Sequence, residues 1–158
     1  MIRRLAPEDA ALLRRLRLSA LTDAPSAFGT THEEAAAHPA RRWRDVLHAD
    51  ANPTFVWEDE RGAVGMVVAA RDRSGADVLW LVAMWVDPSA RGEGIGDALV
   101  ERVLAWGRAQ RAPVVRLSVT EGNTRAERLY ARHGFVRNGR SEIRARDGLA
   151  EIEMEAAT

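Results

Sequence analysis

The stretch VLWLVAMWVDPSARGEGIGDAL, residues 78–99, decides the reading of this chain. Val78 to Val86 is the longest apolar run and is apolar on both faces. It predicts a central strand, Asp77 to Val86, covered on both sides. Asp87 and Pro88 end it, a glycine-rich turn follows, and Ile95, Leu99, Val103 and Trp106 then mark an amphipathic helix up to Gln110. Gly92, Gly94 and Gly96 let backbone N–H groups approach a ligand with no Cβ in the way. Those amides lie at a helix start, where unpaired donors and the helix dipole favour an anion, and Arg91 adds a charge beside them. The residues read as a pyrophosphate cradle; the alternative is a glycine-rich connection with no ligand. A Rossmann cradle needs a further glycine where Asp97 stands. A P-loop needs a lysine, and the chain has none.

Outward from this stretch the elements alternate. Ile2 to Leu5 reads as a short strand, and Pro7 with Glu8 and Asp9 opens a helix ending near Asp23-Ala24-Pro25. Ala24 to Thr30 is a loop. Thr31 and Glu34 form a capping-box pattern opening a second helical segment, interrupted at Pro39 and resumed through Trp43, Val46 and Leu47. Thr54 to Glu58 and Ala63 to Ala70 read as strands around an Arg61-Gly62 turn. Past the central helix, Val114 to Thr120 is a strand, and Asn123 to His133 is a helix stopped by Gly134. Phe135 onward and Ala150 to Glu155 form a last strand pair.

Length and composition bound the function. At 158 residues, 46% hydrophobic and 29% charged, the chain reads as one globular domain spanning 1–158, with disorder excluded as its general state. The 23 basic residues balance 23 acidic ones, so no global field draws it to nucleic acid or an anionic membrane. The absence of cysteine removes disulfides, a thiolate nucleophile and Cys-ligated metal. With no lysine either, Schiff-base and Ser-x-x-Lys chemistry are excluded. The N-terminus has no apolar core of signal-peptide length, and no apolar run approaches the roughly 20 residues of a membrane span. The expectation is a soluble cytoplasmic protein with neither nucleic acid nor membrane as partner.

A second motif narrows the reading. Residues 115–135, VRLSVTEGNTRAERLYARHGF, give a strand, Asn123 at a helix start, and Tyr130 followed by Gly134-Phe135 at the helix end. Together with Arg91-x-x-Gly94-x-Gly96, this order resembles the GNAT N-acetyltransferase superfamily. The resemblance covers roughly residues 78–136. It implies a mixed α/β fold: a twisted, mostly antiparallel central sheet flanked by helices, with splayed central strands holding acetyl-CoA. It implies that backbone groups of Met84, Trp85 and Val86 pair with the pantetheine arm. Arg91 and the amides of Gly92, Glu93, Gly94, Ile95, Gly96 and Asp97 would hold the pyrophosphate, and Asn123 the cofactor arm. Tyr130 would protonate the departing thiolate. A phenol of ordinary pKa about 10 suits that step; outside the motif a single tyrosine near a helix end reads as packing.

Two departures from the family pattern concern the general base. Trp80 and Ser118 occupy the two positions where members carry a glutamate. Asp23, Glu33, Glu34 or a water chain are the substitutes, each carboxylate reading otherwise as a solvated helix or cap residue. His32, His38, His48 and His133 show no metal-ligand spacing, and no metal is expected. The five tryptophans read mostly as core, with Phe28 and Arg144 to Asp147 as candidates for the acceptor side. The expected reaction is acetyl transfer from acetyl-CoA to an amine, a small molecule or a peptide N-terminus, by direct attack. A non-catalytic acetyl-CoA sensor is the alternative, and a homodimer is left open.

Overall fold

The computed structural model describes residues 1–158. The strands are β1 (Ile2–Arg4), β2 (Thr54–Asp59), β3 (Gly62–Arg71), β4 (Val78–Val86), β5 (Val114–Thr120), β6 (Val136–Ile143) and β7 (Ala150–Ala157). The helices are α1 (Ala10–Asp23), α2 (His32–Ala36), α3 (Ala40–Leu47), α4 (Ile95–Ala109) and α5 (Thr124–Arg132). All strands join one sheet in the order β1-β2-β3-β4-β5-β7-β6. Every neighbouring pair is antiparallel except β4 and β5. This is the mixed, mostly antiparallel sheet the sequence implies. No helix is long and apolar enough to cross a membrane.

Local chemistry accounts for the element ends. The Thr31 hydroxyl accepts from the Glu34 amide at 3.1 Å, and the Glu34 carboxylate accepts from the Thr31 amide at 2.9 Å, so the capping box forms. Pro39 takes the N-cap of α3, where its missing N–H costs nothing. Pro7 opens a single 3₁₀ turn, Pro7–Asp9, rather than α1 itself. Asp9 there accepts two bonds from the Arg3 guanidinium, 2.8 and 2.9 Å, tying the turn to β1.

The sheet separates two apolar layers. On one face, Leu13, Leu16 and Leu21 of α1 and Trp43 of α3 pack with Val56, Met66 and Trp85. On the other, Ile95, Leu99 and Val103 of α4 pack with Phe55, Val67, Leu79 and Leu117. Each such buried aliphatic side chain contributes about 1.5–3 kcal/mol by removing apolar area from water.

β4 is covered by α4 on one face and by α1 on the other, and it splays from β5 as the resemblance implies. It is central, but its pairing with β5 stops after Val78–Trp80 against Val114–Arg116. Beyond that the two strands part. Val82 is 39% exposed although it lies mid-strand, because it faces the opening between them. β4 also carries a bulge: Ala83 and Met84 oppose the single residue Val67, and Ala83 has a left-handed φ of 54°. The extra residue inverts the facing of the strand. Leu79 and Leu81 point to the α4 side, whereas Trp85 points to α1 and Met84 and Val86 take the α4 side.

Candidate active site

Two cavities of about 500 Å³ each occupy the opening between β4 and β5. They share Ala27, Phe28, Met84, Ser118 and Tyr130 as wall residues and therefore meet there.

The first cavity runs from the end of β4 past the start of α4 to α5. Its floor is the cradle quoted above. Gly94 is the N-cap of α4 with φ 79°, and no side chain caps the helix. An L-residue with a Cβ would be strained at that φ. This conformation leaves the amides of the first turn unpaired at the start of a 15-residue helix, where a partial positive charge accumulates. Gly96 serves a different purpose from Gly94. A Cβ there would lie 3.2 Å from Leu129 and 3.5 Å from Met84, so its smallness allows α5 and β4 to close on α4.

The side chains around the cradle brace it. Arg91 Nε donates to the Val86 carbonyl at 3.0 Å, and its Nη2 pairs with Asp23. Asp23 also accepts from Trp85 Nε1 at 3.0 Å, joining the end of α1 to β4. Glu93 turns away from the cavity and accepts from Arg61, which also bonds Asp59 and the Ser89 carbonyl. The buried Ile95 contributes to the core, so only its amide serves the cradle. Asp97 pairs with Arg132 at 3.0 Å, and His133 Nε2 lies 2.9 Å from it. Burial alone would raise the Asp97 pKa, but His133 and Arg132 outweigh it and hold the carboxyl below its ordinary range. Arg125 and Arg132 add positive charge to the same cavity.

Asn123 lines this cavity too, but its Oδ1 accepts from the Ala126 amide at 3.3 Å as the N-cap of α5. The side-chain NH₂ is the group left for a ligand. At the other end of α5, Gly134 takes φ 86°, its amide bonds the Ala131 carbonyl, and the Phe135 amide bonds the Tyr130 carbonyl. This is a Schellman closure. Phe135, 1% exposed, then meets the Tyr130 ring edge-on at 5.9 Å. The Gly-Phe pair of the sequence motif thus fixes the tyrosine where the cavities meet. Burial pushes the Tyr130 phenol well above its ordinary pKa, so it stays protonated across the accessible pH range.

The second cavity lies under α1, α2 and α3. Trp80 and Ser118, the two positions where the resemblance would put a glutamate, both line it and bring no carboxylate. Glu33 and Glu34 line neither cavity, and Glu34 is engaged in its cap. Of these two cavities Asp23 lines the first alone, paired with Arg91. The carboxylate that lines the second is Glu151, missed in the sequence. It is held by Arg144 at 3.2 Å. The alternation Glu151-Ile152-Glu153-Met154-Glu155 carried the signal: Ile152 and Met154 enter the core, so the glutamates face the other side.

Arg144 and Arg146 clamp the loop before α2. Arg144 donates to the carbonyls of Ser26 at 2.8 Å and Phe28 at 3.1 Å, and Arg146 donates to Phe28 at 2.8 Å. The last hairpin thereby holds Phe28 as a wall between the two cavities.

A family model described as the acetyltransferase (GNAT) family matches residues 16–135. The peptidyl-lysine N-acetyltransferase YjaB of Salmonella typhimurium is 43% identical over 61 residues, 39% of this chain and 39% of that one. The mycothiol acetyltransferase of Beutenbergia cavernae is 30% identical over 126 residues, 77% of this chain and 39% of that one. The chain thus spans about two-fifths of the length of these relatives. Among solved structures, yncA from Salmonella typhimurium, with its cofactor acetyl-CoA, superposes with a TM-score of 0.81 over 99% of this chain and 92% of that one. At 18% identity that likeness is one of fold.

Proposed function

Because the chain belongs to the acetyltransferase (GNAT) family, we propose that it moves the acetyl group of acetyl-CoA to an amine by direct attack in a ternary complex. The observation that carries this reading is the junction of the two cavities at Tyr130, with an anion cradle at the far end of one. The solved relative with acetyl-CoA supports the donor. The named relatives differ in kind, one a peptidyl-lysine N-acetyltransferase and the other a mycothiol acetyltransferase. The acceptor is therefore to be sought in this chain's own second cavity.

The cradle residues suit a pyrophosphate. The unpaired amides at the start of α4 offer donors and Arg125 offers charge, while Arg91 and Arg132 line the same cavity with Asp23 and Asp97 as their present partners. The β5-facing edge of β4 beyond Trp80 has no partner strand, so its backbone groups, apart from the Val86 carbonyl that Arg91 occupies, are open to an extended amide-bearing arm, as an added strand would use them. Asn123 offers its NH₂ to the same arm. Acetyl-CoA supplies a thioester: the amine forms a C–N bond to the acetyl carbon and the C–S bond breaks. The bulge at Ala83 and Met84 leaves a β4 peptide outside the ladder, and its N–H would be free to stabilise the oxyanion if the acetyl group lay beside it. Tyr130 gives its proton to the sulfur as the C–S bond breaks and takes back the one that the attacking nitrogen sheds on becoming an amide. An acceptor that arrives as ammonium must first lose one further proton, and neither Trp80 nor Ser118 takes it. The proton goes to solvent water before attack, and Glu151 keeps its bond to Arg144.

Incubation of the protein with acetyl-CoA and a panel of amines, reading free CoA and acetylated product, tests this. Equimolar CoA and acetyl-amine is the expected result. Saturable acetyl-CoA binding with no transfer to any amine would leave the sensor reading in its place.

A further inference from the structure

The acceptor cavity holds an arginine without a counter-charge. Arg17 of α1 lines it, with its guanidinium carbon 5.0 Å from the centre of the Phe28 ring. Its Nη1 is buried with no hydrogen-bond partner in the chain. Burial lowers its pKa and no carboxylate offsets that, whereas Arg3 and Arg61 are held high by acidic partners. A buried cation is costly unless paired, so this one calls for an anion from outside the chain.

Two further donors point the same way. Trp43 Nε1 and Thr54 Oγ1 are also buried without partners, and both residues line this cavity. Three of the four such atoms in the molecule thus belong to walls of one cavity; the fourth, on Trp106, lies elsewhere. A guanidinium and an indole only donate, and a hydroxyl also donates. The complement to such a set is a group that only accepts and carries negative charge. Glu151, the carboxylate in this cavity, is already paired with Arg144, and the exposed Arg42 adds a second positive charge. The remaining walls include the aromatic faces of Phe28, Trp43 and Trp80.

We propose that the acceptor is a small amine that carries a carboxylate, of amino-acid size with an apolar side chain. Its carboxylate pairs with Arg17, and its amine lies toward Tyr130. This rests on the acetyl-transfer reading and names its substrate class. A planar carboxylate matches the fork of a guanidinium, which a lysine would not reproduce.

The test uses matched sets: an aromatic or thioether amino acid, its carboxamide, and the decarboxylated amine. The carboxamide's amine is less basic and more of it is neutral, so intrinsic reactivity favours the amide. A preference for the acid would run against that bias. The wild-type protein is expected to use the acid at least about tenfold better than either partner, judged by kcat/KM. In Arg17→Met the acid-to-amine ratio should fall by about 10–100-fold, the scale of one hydrogen bond between charged groups. Arg17→Lys should retain part of it. Arg17 does not line the cofactor cavity, so the acetyl-CoA Kd should stay unchanged in both variants, which checks that they fold. An equal ratio in wild type and Arg17→Met, or a wild-type preference for the partners that lack the carboxylate, overturns the proposal. If no amine is acetylated, thermal shifts with the same compounds in the presence of CoA separate the two readings. An acid-selective shift lost in Arg17→Met keeps the carboxylate site while the transfer reading fails; no acid-selective shift removes the site as well.

Discussion

Replacing Gly94 by alanine isolates the cradle from every other feature of the fold. Gly94 has φ 79°, and a Cβ built there meets nothing within 4 Å. The substitution therefore has no steric cost, only the backbone cost of an L-residue in the left-handed region, roughly 1–2 kcal/mol. Gly75, in the polar turn before β4, is a matched control: its φ is 81° and its Cβ space is equally open. For a chain of this size both variants should lose about 2–8 °C of Tm. They should differ in ligand response. If the backbone at Gly94 relaxes to relieve the strain, the amides at the start of α4 no longer converge. Loss of one amide bond to a phosphate costs about 1.5–3 kcal/mol, or roughly 10–100-fold in affinity. The assay is the Tm shift at a series of acetyl-CoA concentrations, which follows affinity by mass action. Gly75→Ala should keep the wild-type shift and Gly94→Ala should lose most of it. Equal ligand shifts in the two variants would refute the reasoning and place the pyrophosphate elsewhere.

Tyr130→Phe should leave the acetyl-CoA Kd unchanged and lower the rate of transfer by about 10²–10⁴-fold, read from single-turnover kinetics. With no dedicated base, kcat/KM should rise with pH and level off near the pKa of the acceptor itself. Two acceptors of different pKa should therefore give two different plateaus, and one shared plateau near pH 7 would reveal a titrating protein base, with Glu151 the first to replace. Arg144→Met should free the Phe28 wall and raise the acceptor KM by about tenfold, or about 1.4 kcal/mol. Hydrogen bonds from Arg3 hold Asp9 below its ordinary pKa, and those from Arg137 do the same for Glu127. A depressed folded pKa contributes stability that is present above the unfolded pKa of about 4 and lost as pH falls through the folded value. Tm should be level near neutrality and fall below about pH 4.

The segment between Val78 and Phe135 announced the fold because its chemistry is local. An apolar strand, glycines at a helix start and a Gly-Phe closure each act within a few residues. The bulge at Ala83 was invisible because alanine has no preference for a positive φ; the register of β3 imposes it. The parting of β4 from β5 came only from the family resemblance, since an apolar strand by itself reads the same whether a neighbour or a ligand covers its edge. Glu33 and Glu34 looked like candidate bases by nearness in sequence, but the capping box turns Glu34 back on Thr31. Glu151 and Arg17 reach the same cavity from positions 134 residues apart in the chain, a proximity that only the sheet order and the packing of α1 create.

Direct transfer across the junction at Tyr130 is tested most directly by initial velocities measured while acetyl-CoA and the acceptor amine are varied together. Two cavities that open into each other beside Tyr130 require both substrates to be bound when the C–N bond forms. Double-reciprocal lines should intersect, and the acetylated amine should account for all CoA released. Parallel lines, or an acetylated protein isolated from acetyl-CoA alone that then passes its acetyl group to the amine, would contradict the account.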